Sequence, residues 1–91
     1  MSSIEVVSSQ TGSGWLARVT VSDRGSSREF EVTVTRDELA RLDPGAAEPA
    51  ALVRRAFEFL LTREPKELIL PRFGLAVISR YFPEFEAEMR A

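Results

Sequence analysis

The chain has 91 residues, of which 44% are hydrophobic and 29% are charged, and its formal net charge is -2. These proportions are typical of one small globular domain, and they argue against a disordered chain and against a broadly basic nucleic-acid binder. Cysteine and histidine are both absent, which excludes disulfides, thiolate metal sites and the commonest general base near neutral pH.

The N-terminal residues Met1–Glu5 lack the basic region and apolar run of an export signal. No window of the sequence approaches the roughly 18 uninterrupted apolar residues of a membrane span. We therefore expect a cytoplasmic protein with no membrane partner. Because only Lys66 among the 12 basic residues is a lysine, the composition also indicates GC-rich bacterial coding.

The first part of the chain alternates apolar and polar residues, as half-buried strands do. Two such runs, Trp15–Ser22 and Arg28–Val34, are joined by the turn sequence SDRGSS, which predicts an antiparallel hairpin with one apolar face. A third and shorter strand is predicted at Ile4–Val7. Together these runs predict a three-stranded meander.

The second part of the chain follows helical patterns. Thr35 and Glu38 match a capping box, so a short helix is predicted over the sequence RDELARL that follows Thr35. After the connector 44–49, a longer helix is predicted at about Ala50–Thr62. Its apolar residues fill an arc of roughly 200° on a helical wheel: Leu52, Val53, Ala56, Phe57, Phe59, Leu60 and Leu61. We expect this helix to lie on the hairpin and to be covered on its other flank by the C-terminal segment.

The segment around Gly74 superficially matches a helix-turn-helix that reads DNA. Arg80 stands where that motif needs an aliphatic residue between its two helices, so the seam would contain a charge. Pro71 and Pro83 would also interrupt the two helices. The sequence therefore argues against this motif.

An ordinary amphipathic helix over Leu75–Phe82 fits the same segment better. In this interpretation Tyr81 and Phe82 close the core over the long helix, and Arg80 lies on the opposite arc. Pro83 then begins one or two further helical turns, which Phe85 and Met89 anchor at i,i+4 spacing.

These elements predict an α+β fold in one domain, residues 1–91, in which an N-terminal antiparallel hairpin or three-stranded meander packs against a central amphipathic helix and short C-terminal helices. The stretch FGLAVISRYFPEF, residues 73–85, resembles the C-terminal end of a group of small uncharacterised bacterial proteins. The resemblance covers roughly the last third of the chain. It implies a bacterial origin, and it implies no activity, ligand or catalytic residue.

The sequence contains no dinucleotide-binding glycine motif, P-loop or nucleophile elbow, and we predict no catalytic residue, no cofactor and no metal ligand. The glutamates of EFEAEM are expected to form a solvated face. Lys66 is the one amine that burial could convert into a nucleophile, but Pro65 and Glu67 place it in a predicted turn. Trp15 is expected in the core or at its edge.

The remaining interpretation is a non-enzymatic interaction or adaptor domain that binds another protein or a second copy of itself, through its surface or an open sheet edge. A second hypothesis is a nucleic-acid-binding regulator, although retention on DNA or RNA is not expected at physiological ionic strength. It requires convergence of the arginines in the candidate partner surface: Arg54, Arg55, Arg72 and Arg80. A third is an enzyme that uses carboxylates and Tyr81, or a site completed by a partner chain. No small-molecule ligand is predicted.

Overall fold

The computed structural model describes residues 2–90. Its elements in chain order are β1 (Ser3–Gln10), β2 (Gly14–Asp23), β3 (Ser26–Thr35), α1 (Arg36–Leu42), α2 (Ala50–Leu61), a 3-10 turn (Lys66–Leu68), β4 (Arg72–Gly74), α3 (Val77–Tyr81) and α4 (Phe85–Arg90). The strands form one sheet in the order β1-β2-β3-β4, in which the first three are antiparallel neighbours and β4 runs parallel to β3. The predicted α+β fold and its N-terminal meander are confirmed.

The central hairpin of β2 and β3 is confirmed, and both strands extend beyond their predicted ends. They turn over two residues, Arg24 and Gly25, whose φ angles of 50° and 79° are both positive. This is the backbone of a type I′ turn, whose twist matches that of the flanking strands. Glycine adopts the second of these angles without steric cost, so the local sequence DRG fixes the register of the hairpin.

The sheet has one apolar face and one solvated face, as the alternation of the sequence predicts. The apolar face carries the fully buried Val19, Phe30 and Val32, and α2 lies over it. On this face the ring centroid of Phe57 in α2 is 5.1 Å from that of Phe30 and 6.1 Å from that of Phe73. The long helix therefore packs on the hairpin as expected.

The solvated face carries a row of charges across three strands. The guanidinium of Arg18 lies 4.0 Å from the carboxylate of Glu31, and that of Arg72 lies 3.5 Å from the same carboxylate. These three residues occupy adjacent positions in β2, β3 and β4. The row shows that this face meets water.

The capping box at the start of α1 is confirmed. The backbone N–H of Glu38 donates to Oγ1 of Thr35 at 3.1 Å, and the N–H of Thr35 donates to the Glu38 carboxylate at 2.8 Å. The helix ends at Leu42, where predicted. Its buried Leu39 and Leu42 join the core at the end of the sheet.

The predicted helix over Leu75–Phe82 is too long, because the chain first adds a strand to the sheet. The N–H of Glu31 donates to the carbonyl of Pro71 at 2.8 Å, and the N–H of Leu75 donates to the carbonyl of Thr33 at 3.0 Å. These bonds hold the backbone around β4 extended against β3, so the helix α3 begins only at Val77.

The short C-terminal helix α4 is anchored as predicted. Phe85 and Met89 are 0% and 5% exposed, and the ring of Phe85 meets that of Phe59 edge-on at 5.3 Å between centroids. The C-terminal segment thus covers the flank of α2 that the sheet leaves open.

Candidate functional site

An apolar groove opens where the end of α2 meets the 3-10 turn, β4 and α3, and its volume is about 380 Å³. Nine of its ten lining residues are apolar or aromatic, and one is charged. The lining residues are Leu60, Glu64, Leu68, Ile69, Leu70, Phe73, Val77, Ile78, Tyr81 and Phe82. Such a concave apolar surface with few polar groups is typical of binding sites.

The floor and one rim of the groove come from the short sequence LIL. Ile69 is 4% exposed and inserts into the core, so its neighbours Leu68 and Leu70 point outward and are 67% and 49% exposed. Pro65 and Pro71 bracket this stretch and keep it from continuing either helix. The two leucines therefore remain at the surface because the chain anchors itself through the residue between them.

The opposite wall comes from α3, and here the predicted core position of Tyr81 is wrong. Tyr81 is 68% exposed, whereas Ile78 is 3% exposed. Phe82 packs edge-on against Phe59 at 5.8 Å between ring centroids, beyond the end of the helix. Since α3 has only five residues, one buried side chain and Phe82 suffice to dock it, and Tyr81 is left on the side that faces the groove.

The charged residue of the groove is Glu64. Within residues 2–90, its carboxylate makes no ion pair and accepts no side-chain hydrogen bond. The neighbouring Arg63 is held elsewhere, because its guanidinium pairs with Glu84 at 3.4 Å and lies 3.6 Å from the ring centroid of Phe59. The groove therefore offers one negative charge to a ligand.

A second polar cluster surrounds Lys66, whose side chain is only 4% exposed. Its ammonium pairs with the carboxylate of Asp23, the last residue of β2, and with that of Glu67 at 2.9 Å. Hydrogen bonds from Lys66 hold the pKa of each carboxyl below its ordinary value, and bonds to Asp23 and then Glu67 raise the pKa of Lys66. A nucleophilic amine needs a lowered pKa, so this cluster acts as a clamp between the hairpin and the 3-10 turn.

We expect the Lys66→Met variant to melt several degrees below the wild type at neutral pH, because Asp23 and Glu67 lose their cation. Folding depresses the carboxyl pKa values from about 3.8 and 4.5, so this stabilisation is present above those values and is lost as pH falls through the folded pKa values. The raised pKa of Lys66 means that its contribution is present below 10.5 and is lost at higher pH. Thermal melts from pH 2 to pH 7 should show the two proteins converging in acid.

The matched control for this clamp is Arg80→Met, since Arg80 is an exposed cation on α3. Its melting temperature should stay within about a degree of the wild type at every pH. A deficit of Lys66→Met that is equally large at pH 2 and pH 7 would show that the ion pairs of Lys66 with Asp23 and Glu67 are not the source of its stabilisation.

The residues of the predicted partner surface lie on three elements: Arg54 and Arg55 in α2, Arg72 in β4 and Arg80 in α3. Arg55 is half-buried, its Nη1 donates to the carbonyl of Met89 at 2.8 Å, and its Nη2 lies 3.7 Å from a carboxylate oxygen of Asp43. These contacts fasten the end of α4 and the end of α1 to α2. The role of Arg55 is therefore structural.

The other three arginines lie in different surroundings. Arg72 belongs to the charge row on the solvated face of the sheet, Arg54 lines a hollow beside the start of β1, and Arg80 is exposed on α3. Within residues 2–90, the four arginines share no ion-pair or hydrogen-bond partner.

The groove residues Leu68, Leu70 and Glu64 were not singled out by the sequence. An apolar triplet between two prolines is the signal that could have found them, because such a triplet is too short for a helix and must expose alternate side chains. The predicted enzyme alternative relied on convergent carboxylates. Only one carboxylate lines the groove.

No protein-family model, curated protein or solved structure matches this chain. Residues 2–90 contain no group of three or more acidic, histidine or cysteine residues that could hold a metal ion. Across the same part of the chain, no helix combines the length and the apolarity that crossing a bilayer requires.

The fold and the groove define a small α+β domain with an open four-stranded sheet and one apolar groove beside its β4 edge. The bacterial resemblance and the cytoplasmic location stay predictions.

Proposed function

We propose that the protein is a non-enzymatic interaction module whose groove binds a short segment of a partner protein. The observation that carries this proposal is the exposure of three large apolar side chains around one concave surface: Leu68, Leu70 and Tyr81 are 67%, 49% and 68% exposed. Full burial of such a side chain is worth about 1.5 to 3 kcal/mol, so a ligand that covers them gains substantial free energy.

The chemistry of the groove defines the partner segment. Its apolar lining accepts aliphatic or aromatic side chains, and the unpaired carboxylate of Glu64 accepts a basic one. An ion pair at the margin of a desolvated contact contributes to specificity and to the rate of association. We infer a partner segment that presents a few apolar residues and at least one lysine or arginine.

Binding is favoured over catalysis by the same lining. Enzymes that rely on carboxyl groups, such as glycosidases, use a pair of them, one as general acid and one as base or nucleophile. The groove contains one carboxyl group. Tyr81 is the other ionisable group that lines it, and it lies at the exposed wall. The arrangement supplies apolar contact area and one charge, which is what recognition of a peptide needs.

Selection of random peptides displayed on phage against the immobilised full chain tests this proposal. We expect enriched peptides to combine apolar residues with lysine or arginine. In solution, Leu70→Asp should weaken their binding by about tenfold or more, and Glu64→Gln should weaken it by a smaller factor that shrinks as salt rises.

Thr33→Asp is the control, because Thr33 is exposed on the solvated face of the sheet and does not line the groove. It should leave peptide affinity unchanged, and thermal melts should confirm that all three variants are folded. Peptides that bind Leu70→Asp as well as the wild type, or a selection that enriches none, would refute the proposal. DNA binding in the micromolar range that weakens steeply with salt would favour the nucleic-acid alternative.

A further inference from the structure

Strand β1 forms an open edge of the sheet, since its one neighbour is β2. At the turn between them, the N–H of Thr11 donates to the carbonyl of Gly14 at 2.8 Å. Thr11 and Gly14 therefore form a hydrogen-bonded pair. Because hydrogen-bonded and non-hydrogen-bonded pairs alternate along an antiparallel ladder, every second residue of β1 directs its N–H and C=O groups away from β2. These residues are Ile4, Val6, Ser8 and Gln10. Within residues 2–90, no group bonds to the outward-directed N–H and C=O groups of these four residues, and the bond from Ser8 to the carboxylate of Glu48 uses the Ser8 side chain.

The edge lacks the features that normally keep such strands from pairing. β1 contains no proline, lysine or arginine, and its eight residues pair with β2 in continuous register without a bulge. Its single charge is Glu5, and Val7 on the solvated face is 68% exposed. A long, regular and nearly uncharged edge is a template for another strand.

We propose that β1 pairs antiparallel with β1 of a second copy, around a twofold axis through Val7, so that two four-stranded sheets join into one of eight strands. The axis is perpendicular to the sheet and places residues of the same face opposite each other. The axis must therefore pass midway between the two copies of one residue. The two residues at the centre of β1 are Val6 and Val7, so each defines one possible register. The axis at Val7 sets the two exposed valines against each other and removes them from water.

Hydrogen bonding favours the axis at Val7. In this register Ile4 faces Gln10 of the second copy and Val6 faces Ser8, so all four outward-directed residues of each strand find a bonding partner. An axis at Val6 shifts the register by two residues, and Gln10 then lies beyond the start of the opposite strand.

The single charge of the strand leads to the same choice. With the axis at Val7, Glu5 faces Ser9 of the second copy, and the two Glu5 positions are four residues apart along the strands, about 13 Å. This exceeds the Debye length of about 8 Å at physiological ionic strength. With the axis at Val6 the offset is two residues, about 7 Å, and the carboxylates repel each other.

Cysteine cross-linking tests the register, because the chain has no cysteine of its own. In the proposed dimer the two Val7 residues form a non-hydrogen-bonded pair with Cα atoms about 4.5 Å apart, which a disulfide can bridge. Under mild oxidation Val7→Cys should convert to a covalent dimer. Thr33→Cys is the control. Thr33 is exposed on the same face of the sheet as Val7, but it belongs to β3 and lies away from the β1 edge. Equal cross-linking of the two variants would overturn the proposal.

Analytical ultracentrifugation tests the association itself. The wild type should sediment as a dimer at micromolar concentration, and Val7→Lys should raise the dissociation constant at least about tenfold by placing two like charges opposite each other. Thr33→Lys should leave the dimer intact, and both variants should melt as folded proteins because the changed side chains are exposed. A wild type that remains monomeric, or a dimer that dissociates in Leu70→Asp but not in Val7→Lys, would overturn the proposal.

Discussion

Replacing Phe57 by alanine is expected to lower the free energy of unfolding by about 3 to 5 kcal/mol. Phe57 is fully buried, and its ring contacts Phe30 of the sheet and Phe73 of β4. Its loss would leave a cavity at the junction of helix, hairpin and parallel strand. Since a domain of this length has a total stability of about 5 to 14 kcal/mol, the variant should lose a large share of it and melt at a clearly lower temperature.

Tyr81→Ala is the control for this loss, because it removes an aromatic ring of similar size from a surface position that is 68% exposed. Its free energy of unfolding should differ from that of the wild type by less than about 0.5 kcal/mol. Urea denaturation followed by fluorescence of Trp15 measures both values. Comparable losses in the two variants would mean that Phe57 does not join the helix to the sheet as described.

The elements that the sequence predicts well are those whose signal is local. The hairpin strands alternate with period two around a turn that contains Gly25, and α2 repeats its apolar residues at helical spacing. The capping box of α1 lies within four residues, from Thr35 to Glu38. In each case neighbouring residues decide the backbone conformation, and packing then agrees with it.

The elements that were missed depend on residues far apart in sequence. β4 has three residues and exists because Arg72–Gly74 meets Glu31–Thr33 of β3, which no local pattern reveals. The helical wheel that placed Tyr81 in the core assumed one continuous helix from Leu75, whereas Leu75 bonds to the sheet. The clamp between Lys66 and Asp23 joins residues 43 positions apart.

The two proposed contact surfaces lie at opposite edges of the sheet. β1 provides one edge, and β4 with the groove beside it provides the other. A dimer formed through β1 would leave both grooves free, so one dimer could hold two partner segments at once. Two linked sites of this kind bind a bivalent partner more tightly than either site alone.

Gly14→Ala is expected to lower the free energy of unfolding by about 3 kcal/mol, through a steric clash in the sheet. A Cβ atom at this position would lie 2.0 Å from the carbonyl oxygen of Val34 and 2.9 Å from Cα of Thr35. Both are backbone atoms that cannot rotate away, so the pairing of β2 with β3 must open at this point. The displacement would also disturb α1, because Thr35 is its N-cap.

Gly12→Ala provides a closely matched control, two residues away in the same turn region. A Cβ atom on Gly12 would meet nothing within 4 Å. Its stability should therefore equal that of the wild type or exceed it by up to about 1 kcal/mol, because alanine restricts the unfolded chain more than glycine does. Guanidinium denaturation of both variants measures the contrast, and a Gly14→Ala protein as stable as Gly12→Ala would show that β2 and β3 do not approach as closely at Gly14 as described.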